Sequence, residues 1–110
     1  EPTAMLDPMG REEVMNAVHR MNKEMGITVV LVTHFMDEAV KADRVVVMDS
    51  GKIVMQGTPK EVFSQVDKVR AYGLDVPQST ELCHTLGIKE GVLDIDECVD
   101  EIASLLGGAV

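Results

Sequence analysis

The sequence has few aromatic residues and no tryptophan, and its acidic residues far outnumber its basic ones. Phe, Trp and Tyr make up 3% of the 110 residues, and 19 Asp and Glu against 10 Lys and Arg give a net charge of −9. Proteins that bind single-stranded nucleic acid stack bases on aromatic side chains, and those that bind the phosphate backbone need positive charge. The composition therefore argues against a nucleic-acid partner.

Long hydrophobic runs and metal-binding cysteine patterns are also missing. No apolar run approaches the roughly 18 residues of a membrane-spanning helix. The two cysteines, Cys83 and Cys98, do not have the spacing of a metal site, and we predict no metal ligands. We expect them to be reduced core thiols of a cytoplasmic protein, with a disulfide between them as the alternative. Hydrophobic residues still make up 45% of the chain, which is enough to build a core.

The most continuous apolar run lies at residues 27–32 and ends at Thr33 and His34. Its β-branched residues predict a strand over residues 28–33, buried on both faces in a parallel sheet covered by helices. Ligands of open α/β sheets bind beyond the carboxyl ends of such strands, where His34 lies. A histidine at a strand end is also common as an ordinary polar residue, and this stretch alone does not decide between the two interpretations.

A helix is predicted immediately before this run. Asp7 suits the N-cap, Pro8 the first helical position and Gly26 a left-handed end of the helix. A helix followed by a parallel strand is half of a right-handed crossover unit, so another strand should precede residue 1. The chain also begins without methionine, and we expect the amino-terminal part of the domain to be missing from it.

The remaining pattern predicts a hairpin and then only helices. Residues 44–49 and 52–56 are typical of two antiparallel strands joined by a tight turn at Ser50 and Gly51. Thr58 and Asp94 each begin a capping box that starts a helix. The sequence thus predicts an α/β fold up to residue 57 and helices afterwards. The last predicted helix has an apolar face made of Ile95, Cys98, Val99, Ile102, Leu105 and Leu106.

The charge of the last twenty-one residues is strongly asymmetric. Residues 90–110 contain six acids and neither Lys nor Arg. A solvated helix face explains such a run in most proteins. The chain is also expected to self-associate, either through the long apolar face beside these acids, which the small domain has little surface to cover, or through residues 29–32, whose cover would lie in the missing amino-terminal part.

Five short motifs occur in an order that resembles the second half of an ABC transporter ATPase domain. They are EPTAMLDP at residues 1–8, His34, DRV at 43–45, MDSGKI at 48–53 and QGTP at 56–59. The resemblance implies that residues 1–65 are the distal half of a P-loop NTPase domain, and that residues 66–110 form a small helical carboxy-terminal subdomain.

The resemblance also implies a role for individual residues. Glu1 matches the catalytic glutamate that orients or deprotonates the attacking water. His34 matches the switch histidine, which contacts the γ-phosphate. Ala4, Leu6 and Asp7 lie in the D-loop, which reaches the nucleotide of a partner ATPase domain, although the family more often has serine where Ala4 stands.

Other motifs of the family are absent from these 110 residues. The sequence contains no G-x-x-x-x-G-K-[ST] phosphate loop, no signature loop and no Q-loop, and the aspartate that would hold Mg²⁺ should directly precede Glu1. A phosphate cradle needs successive backbone amides and a lysine. We therefore expect ATP and Mg²⁺ to be used by the full-length parent, and neither to be bound or hydrolysed by this chain alone.

Later motifs are similar to one branch of the family. EVFSQ at residues 61–65, LDVPQ at 74–78 and TEL at 80–82 look like the ATPases of energy-coupling-factor importers of cobalt, nickel or vitamins. The resemblance implies a second ATPase subunit, identical or different, a transmembrane coupling subunit and a substrate-binding membrane subunit. It also implies a location on the cytoplasmic face of a bacterial or archaeal membrane.

Three competing hypotheses remain. The chain is either part of such an ATPase, or an interaction module in which residues 66–110 mediate dimerisation and the catalytic motifs are vestigial. A free-standing regulatory domain is a third possibility, which no motif supports. His19 and His84 match no functional motif, and we interpret both as structural.

Overall fold

The computed structural model describes residues 3–107, which form six helices and one two-stranded sheet. In chain order these are α1 (Pro8–Met25), α2 (Met36–Ala39), β1 (Val45–Asp49), β2 (Lys52–Gly57), α3 (Pro59–Phe63), α4 (Val66–Ala71), α5 (Gln78–Thr85) and α6 (Ile95–Leu105). The mixed α/β character agrees with the sequence-based prediction. Across residues 3–107, no helix combines the length and apolar content that crossing a membrane requires.

The helix caps predicted at Asp7, Thr58 and Asp94 are confirmed. Each cap side chain accepts a hydrogen bond from the backbone amide three residues ahead, which satisfies one of the free amides at a helix start. The caps are Asp7 of α1, Thr58 of α3 and Asp94 of α6. Gly26 ends α1 with φ +67°, in the left-handed region that glycine adopts without steric cost.

The predicted hairpin is confirmed as well. Strands β1 and β2 pair antiparallel, and Asp49 lies opposite Lys52. The two turn residues, Ser50 and Gly51, both have positive φ, as a two-residue turn that follows the twist of the strands requires. The hairpin turns Val47 and Met55 toward the interior, where both are buried.

The prediction of a buried parallel strand at residues 28–33 is wrong. In the part of the chain that the structure describes, the sheet consists of β1 and β2 only, and residues 28–33 have no regular secondary structure. Val30 and Val32 are 88% and 70% exposed, whereas Val29 and Leu31 are half-buried. This alternation has the period of an extended chain. A strand also needs neighbours to pair with its N–H and C=O groups, and residues 3–107 supply none at this place.

The main core lies where α3 and α4 pack on the hairpin. Its buried members are Val47, Met55, Val62, Phe63, Val66, Val69 and Val76. Five of these seven residues are valines, so β-branched side chains dominate the core.

A second, smaller core joins α5 to α6. Cys83, Val92 and Cys98 are buried there, and Ile102 packs against them. Both cysteines are free, with their Sγ atoms 3.4 Å apart, so the prediction of reduced core thiols holds. Burial, reinforced by the neighbouring Cys98, raises the pKa of the Cys83 thiol to about 11, which keeps it protonated and unreactive at neutral pH.

Only part of the predicted apolar face of α6 is covered. Cys98 is buried and Ile102 half-buried, since both face the second core. The other members of that face are exposed, namely Ile95, Val99, Leu105 and Leu106. An apolar surface therefore remains on the outer side of α6.

Candidate functional site

The predicted D-loop residues lie in an irregular turn that leads into α1. Ala4 and Leu6 are exposed, and the amide of Leu6 donates a hydrogen bond to the carbonyl oxygen of Thr3 at 3.1 Å. Asp7 is also exposed, and its carboxylate is engaged as the N-cap of α1. Glu1, the predicted catalytic carboxylate, lies outside the described residues.

The predicted switch histidine lies between the extended segment and α2. The His34 side chain is exposed, and its ring centroid is 4.6 Å from that of Phe35. The guanidinium carbon of Arg11 lies 3.7 Å from the centroid of the Phe35 ring, a cation–π contact. Arg11 of α1 thus contacts Phe35, the residue that follows His34.

A buried carboxylate connects the turn before α1 to the loop around His34. Glu38 in α2 is only 3% exposed. The hydroxyl of Thr3 donates to its Oε2 at 2.6 Å, and the hydroxyl of Thr33 donates to its Oε1 at 2.7 Å. Thr3 directly precedes Ala4, and Thr33 directly precedes His34. Two predicted site segments some thirty residues apart in sequence therefore meet at one side chain.

Arg11 of α1 supplies the positive charge beside this carboxylate. Its Nε lies 3.5 Å from Oε2 of Glu38, and its Nη2 contacts both carboxylate oxygens of Asp37 at 2.9 and 3.1 Å. A carboxylate buried this deeply is stable only when it is paired and hydrogen-bonded. Arg11, Thr3 and Thr33 meet both requirements for Glu38.

The ionisation of Glu38 follows from these contacts. Burial by itself raises the pKa of the Glu38 carboxyl, but the hydrogen bonds from Thr3 and Thr33 and the charge of Arg11 outweigh it, so the pKa lies below its ordinary value. Glu38 is therefore ionised at neutral pH. Both of its oxygens act only as acceptors, and both threonine hydroxyls must act as donors.

None of these four residues was predicted to have a role. Thr3 lies within the motif at residues 1–8, but no role was assigned to it, and Thr3 and Glu38 are 35 residues apart. Arg11 and Glu38 belong to no motif, and Thr33 was considered only as the end of the apolar run. The available signal for a buried carboxylate was Glu38 followed by Ala39 and Val40. A carboxylate buried among apolar residues needs polar partners.

A separate ionic cluster lies around His84. Its Nδ1 is 2.7 Å from Oε1 of Glu90 and its Nε2 is 3.5 Å from Oδ1 of Asp67, so it connects α5 to the start of α4 and to the following loop. The hydrogen bond with Glu90 raises the pKa of His84. Among residues 3–107, no three His, Cys, Asp or Glu side chains are grouped so as to hold a metal ion. The structural role of His84 stays a prediction.

Comparison with known proteins identifies the family. The chain is 56% identical over 111 residues to the energy-coupling factor transporter ATP-binding protein EcfA1 of Clostridium perfringens, a match that covers 96% of the chain and 39% of that relative. It is 58% identical over 108 residues to the protein of that name from Caldanaerobacter subterraneus, covering 93% of the chain and 39% of the relative.

A more distant relative agrees with this assignment. A putative ABC transporter ATP-binding protein of Methanosarcina acetivorans is 43% identical over 100 residues, which cover 90% of the chain and 16% of the relative. No protein-family model matches the chain. The chain spans 39% of the length of the energy-coupling factor relatives described above. On this similarity, the chain is a homologue of part of the energy-coupling factor transporter ATP-binding proteins.

Proposed function

We propose that this chain is part of an ATP-hydrolysing subunit that powers uptake across a membrane by an energy-coupling factor transporter. The family supports the general role. The observation that carries the proposal is the shared carboxylate of Glu38, which joins the D-loop to the loop of His34. If both loops act on the nucleotide, their relative positions must be fixed. The two hydrogen bonds to Glu38 fix them.

The proposed roles follow the motifs. Glu1 orients or deprotonates the water that attacks the γ-phosphate, and His34 donates a hydrogen bond to that phosphate. Ala4, Leu6 and Asp7 face a second ATPase subunit across a closed dimer. Their exposure supports this role, because residues that reach a partner must be accessible before it binds.

The residues of this chain fit only one part of a nucleotide site. Mg²⁺ would neutralise the charge that develops on the transferred phosphoryl group. The 110 residues include no glycine-rich phosphate loop. We propose that a longer protein containing this chain holds the triphosphate elsewhere, and that this chain adds the groups that act at the γ-phosphate.

The partners and the location are proposed on the same basis. The longer protein would pair with a second, identical or different, ATPase subunit and dock on a transmembrane coupling subunit beside a substrate-binding membrane subunit. It would lie on the cytoplasmic face of the membrane. Cobalt, nickel or a vitamin is the proposed cargo, and another subunit would choose it.

The proposed division of the chain places the distal half of a P-loop NTPase domain at residues 1–65 and a helical carboxy-terminal subdomain at 66–110. The hairpin precedes residue 66 and the second core joins α5 to α6, whereas Val66, Val69 and Val76 contribute to the main core together with the hairpin and α3.

ATP binding tests this proposal. We expect the 110-residue chain to release no heat of binding when titrated with Mg²⁺ and ATP, because it lacks a phosphate cradle. A longer protein that includes the upstream motifs should bind ATP and hydrolyse it. Micromolar binding by the 110-residue chain, or no binding by the longer protein, would contradict the proposal.

A dimerisation module is the second candidate function, and the exposed outer side of α6 favours it. Val99 is 56% exposed and lines a shallow apolar groove with Ile102, Ala103 and Leu106, so a second copy would bury apolar surface there. Ile102 also packs against the chain's own second core. Val99 is therefore the position at which a charge tests association with little damage to the fold.

We expect Val99→Asp to shift a dimer toward monomer in light scattering, since a buried charge opposes association. High salt should strengthen the wild-type dimer by screening the acids of residues 90–110. Leu82→Asp, a matched change at an exposed position of α5, should leave the dimer intact. A wild-type chain that stays monomeric at high concentration and high salt would rule out this candidate.

A further inference from the structure

The stability of the fold alone does not require a carboxylate at position 38. Its two oxygens accept hydrogen bonds from two hydroxyl groups that lie on different segments, at 2.6 and 2.7 Å. Burying a carboxylate is costly, and an apolar side chain of similar size is often as stabilising or more so. What the carboxylate adds is a fixed distance between the two segments.

The conformation of the loop at His34 depends directly on one of these contacts. The Thr33 hydroxyl donates to Glu38 and at the same time accepts a hydrogen bond from the Phe35 amide at 3.0 Å. The residues on both sides of His34 are therefore held through one hydroxyl group. If Glu38 changed its position, the backbone that carries the histidine would change with it.

The other contact reaches the D-loop. Thr3 donates to Glu38 through its side chain and accepts from the Leu6 amide through its carbonyl oxygen. Arg11 lies on the helix that the D-loop leads into, and it contacts both Glu38 and the Phe35 ring. The D-loop, the start of α1 and the loop of His34 thus share one buried anchor.

We propose that Glu38 is a positioning residue, which holds the D-loop and the loop of His34 in a fixed relation and so sets the orientation of His34 for ATP hydrolysis. This inference rests on the proposed function. It assigns a role to a buried residue that acts through its neighbours.

Glu38→Gln tests the inference in the longer ATP-binding subunit, assembled with the subunits that it needs for activity. The amide preserves the size of the side chain, but it cannot accept from both hydroxyls and has no charge for Arg11. We expect kcat to fall about tenfold or more, because small misplacements of a catalytic group have effects of this size. The KM for ATP should stay nearly unchanged. Glu13→Gln, the same change at an exposed position of α1, should have no effect.

A double-mutant cycle separates positioning from simple stability. If Glu38 acts through His34, Glu38→Gln should cause little further loss of kcat in a His34→Ala background. A further tenfold loss in that background would overturn the proposal, as would a lowered melting temperature with unchanged kcat. Thr33→Val, which removes only the hydroxyl, should reproduce the loss, and Thr33→Ser should restore activity.

Hydrogen exchange gives a readout that is independent of ATP hydrolysis. In the 110-residue chain, Glu38→Gln should speed exchange of the Phe35 amide about tenfold, because the Thr33 hydroxyl is released, while amides of α6 keep their rates. Unchanged exchange at Phe35 would contradict the positioning role. If the wild-type longer subunit does not hydrolyse ATP, the proposed function fails, and the exchange result still decides whether Glu38 positions the loop.

Discussion

Replacing His34 with alanine in the longer ATP-binding subunit is expected to lower kcat for ATP hydrolysis by about 10²–10³-fold, the usual effect of removing one hydrogen-bond donor that stabilises developing charge. ATP affinity should change little, because we propose that other parts of the longer protein hold the triphosphate. The exposed position of His34 beside the anchored Thr33 is compatible with a contact to a phosphate. Steady-state hydrolysis and equilibrium ATP binding measure the two quantities separately.

His19→Ala is the matched control for this prediction. His19 is a half-buried histidine of α1 to which no motif assigns a role, and its replacement should leave hydrolysis essentially unchanged. Glu1→Gln should cause a loss as large as that of His34→Ala, because the amide cannot take a proton from water. Normal turnover in His34→Ala would mean that the switch role belongs to another residue.

The largest expected effect on stability comes from Phe63→Ala. Phe63 is 2% exposed and lies in the main core where α3 and α4 pack on the hairpin. Truncating a buried phenylalanine removes apolar burial and leaves a cavity, which together lower the free energy of unfolding by about 3–5 kcal/mol. Since small domains have only about 5–15 kcal/mol in total, much of the variant should be close to unfolding. Urea denaturation followed by circular dichroism measures the shift of the midpoint.

Leu82→Ala provides the comparison. Leu82 is 45% exposed in α5, and its truncation should change the free energy of unfolding by no more than about 0.5 kcal/mol. Equal effects of the two substitutions would mean that the core does not lie where α3 and α4 meet the hairpin.

Local chemistry accounts for what the sequence determined by itself. The caps at Asp7, Thr58 and Asp94 satisfy amides only three residues away. The turn at Ser50 and Gly51 depends on two backbone angles. Such features require nothing from distant parts of the chain, so they could be predicted with their residue numbers. The order of the motifs likewise indicated the family without any structural information.

Tertiary structure decided the features that depend on distant partners. The apolar run at residues 28–33 has the composition of a buried strand, but a strand exists only where other strands pair with it, and composition does not reveal whether they are present. The contact between Thr3, Thr33 and Glu38 was equally beyond the sequence, because these side chains meet only after α1 and α2 pack. Sequence therefore determined the family and the local elements, and only the packing decided which residues anchor the loop of His34, since hydrogen bonds across 35 residues follow no sequence period.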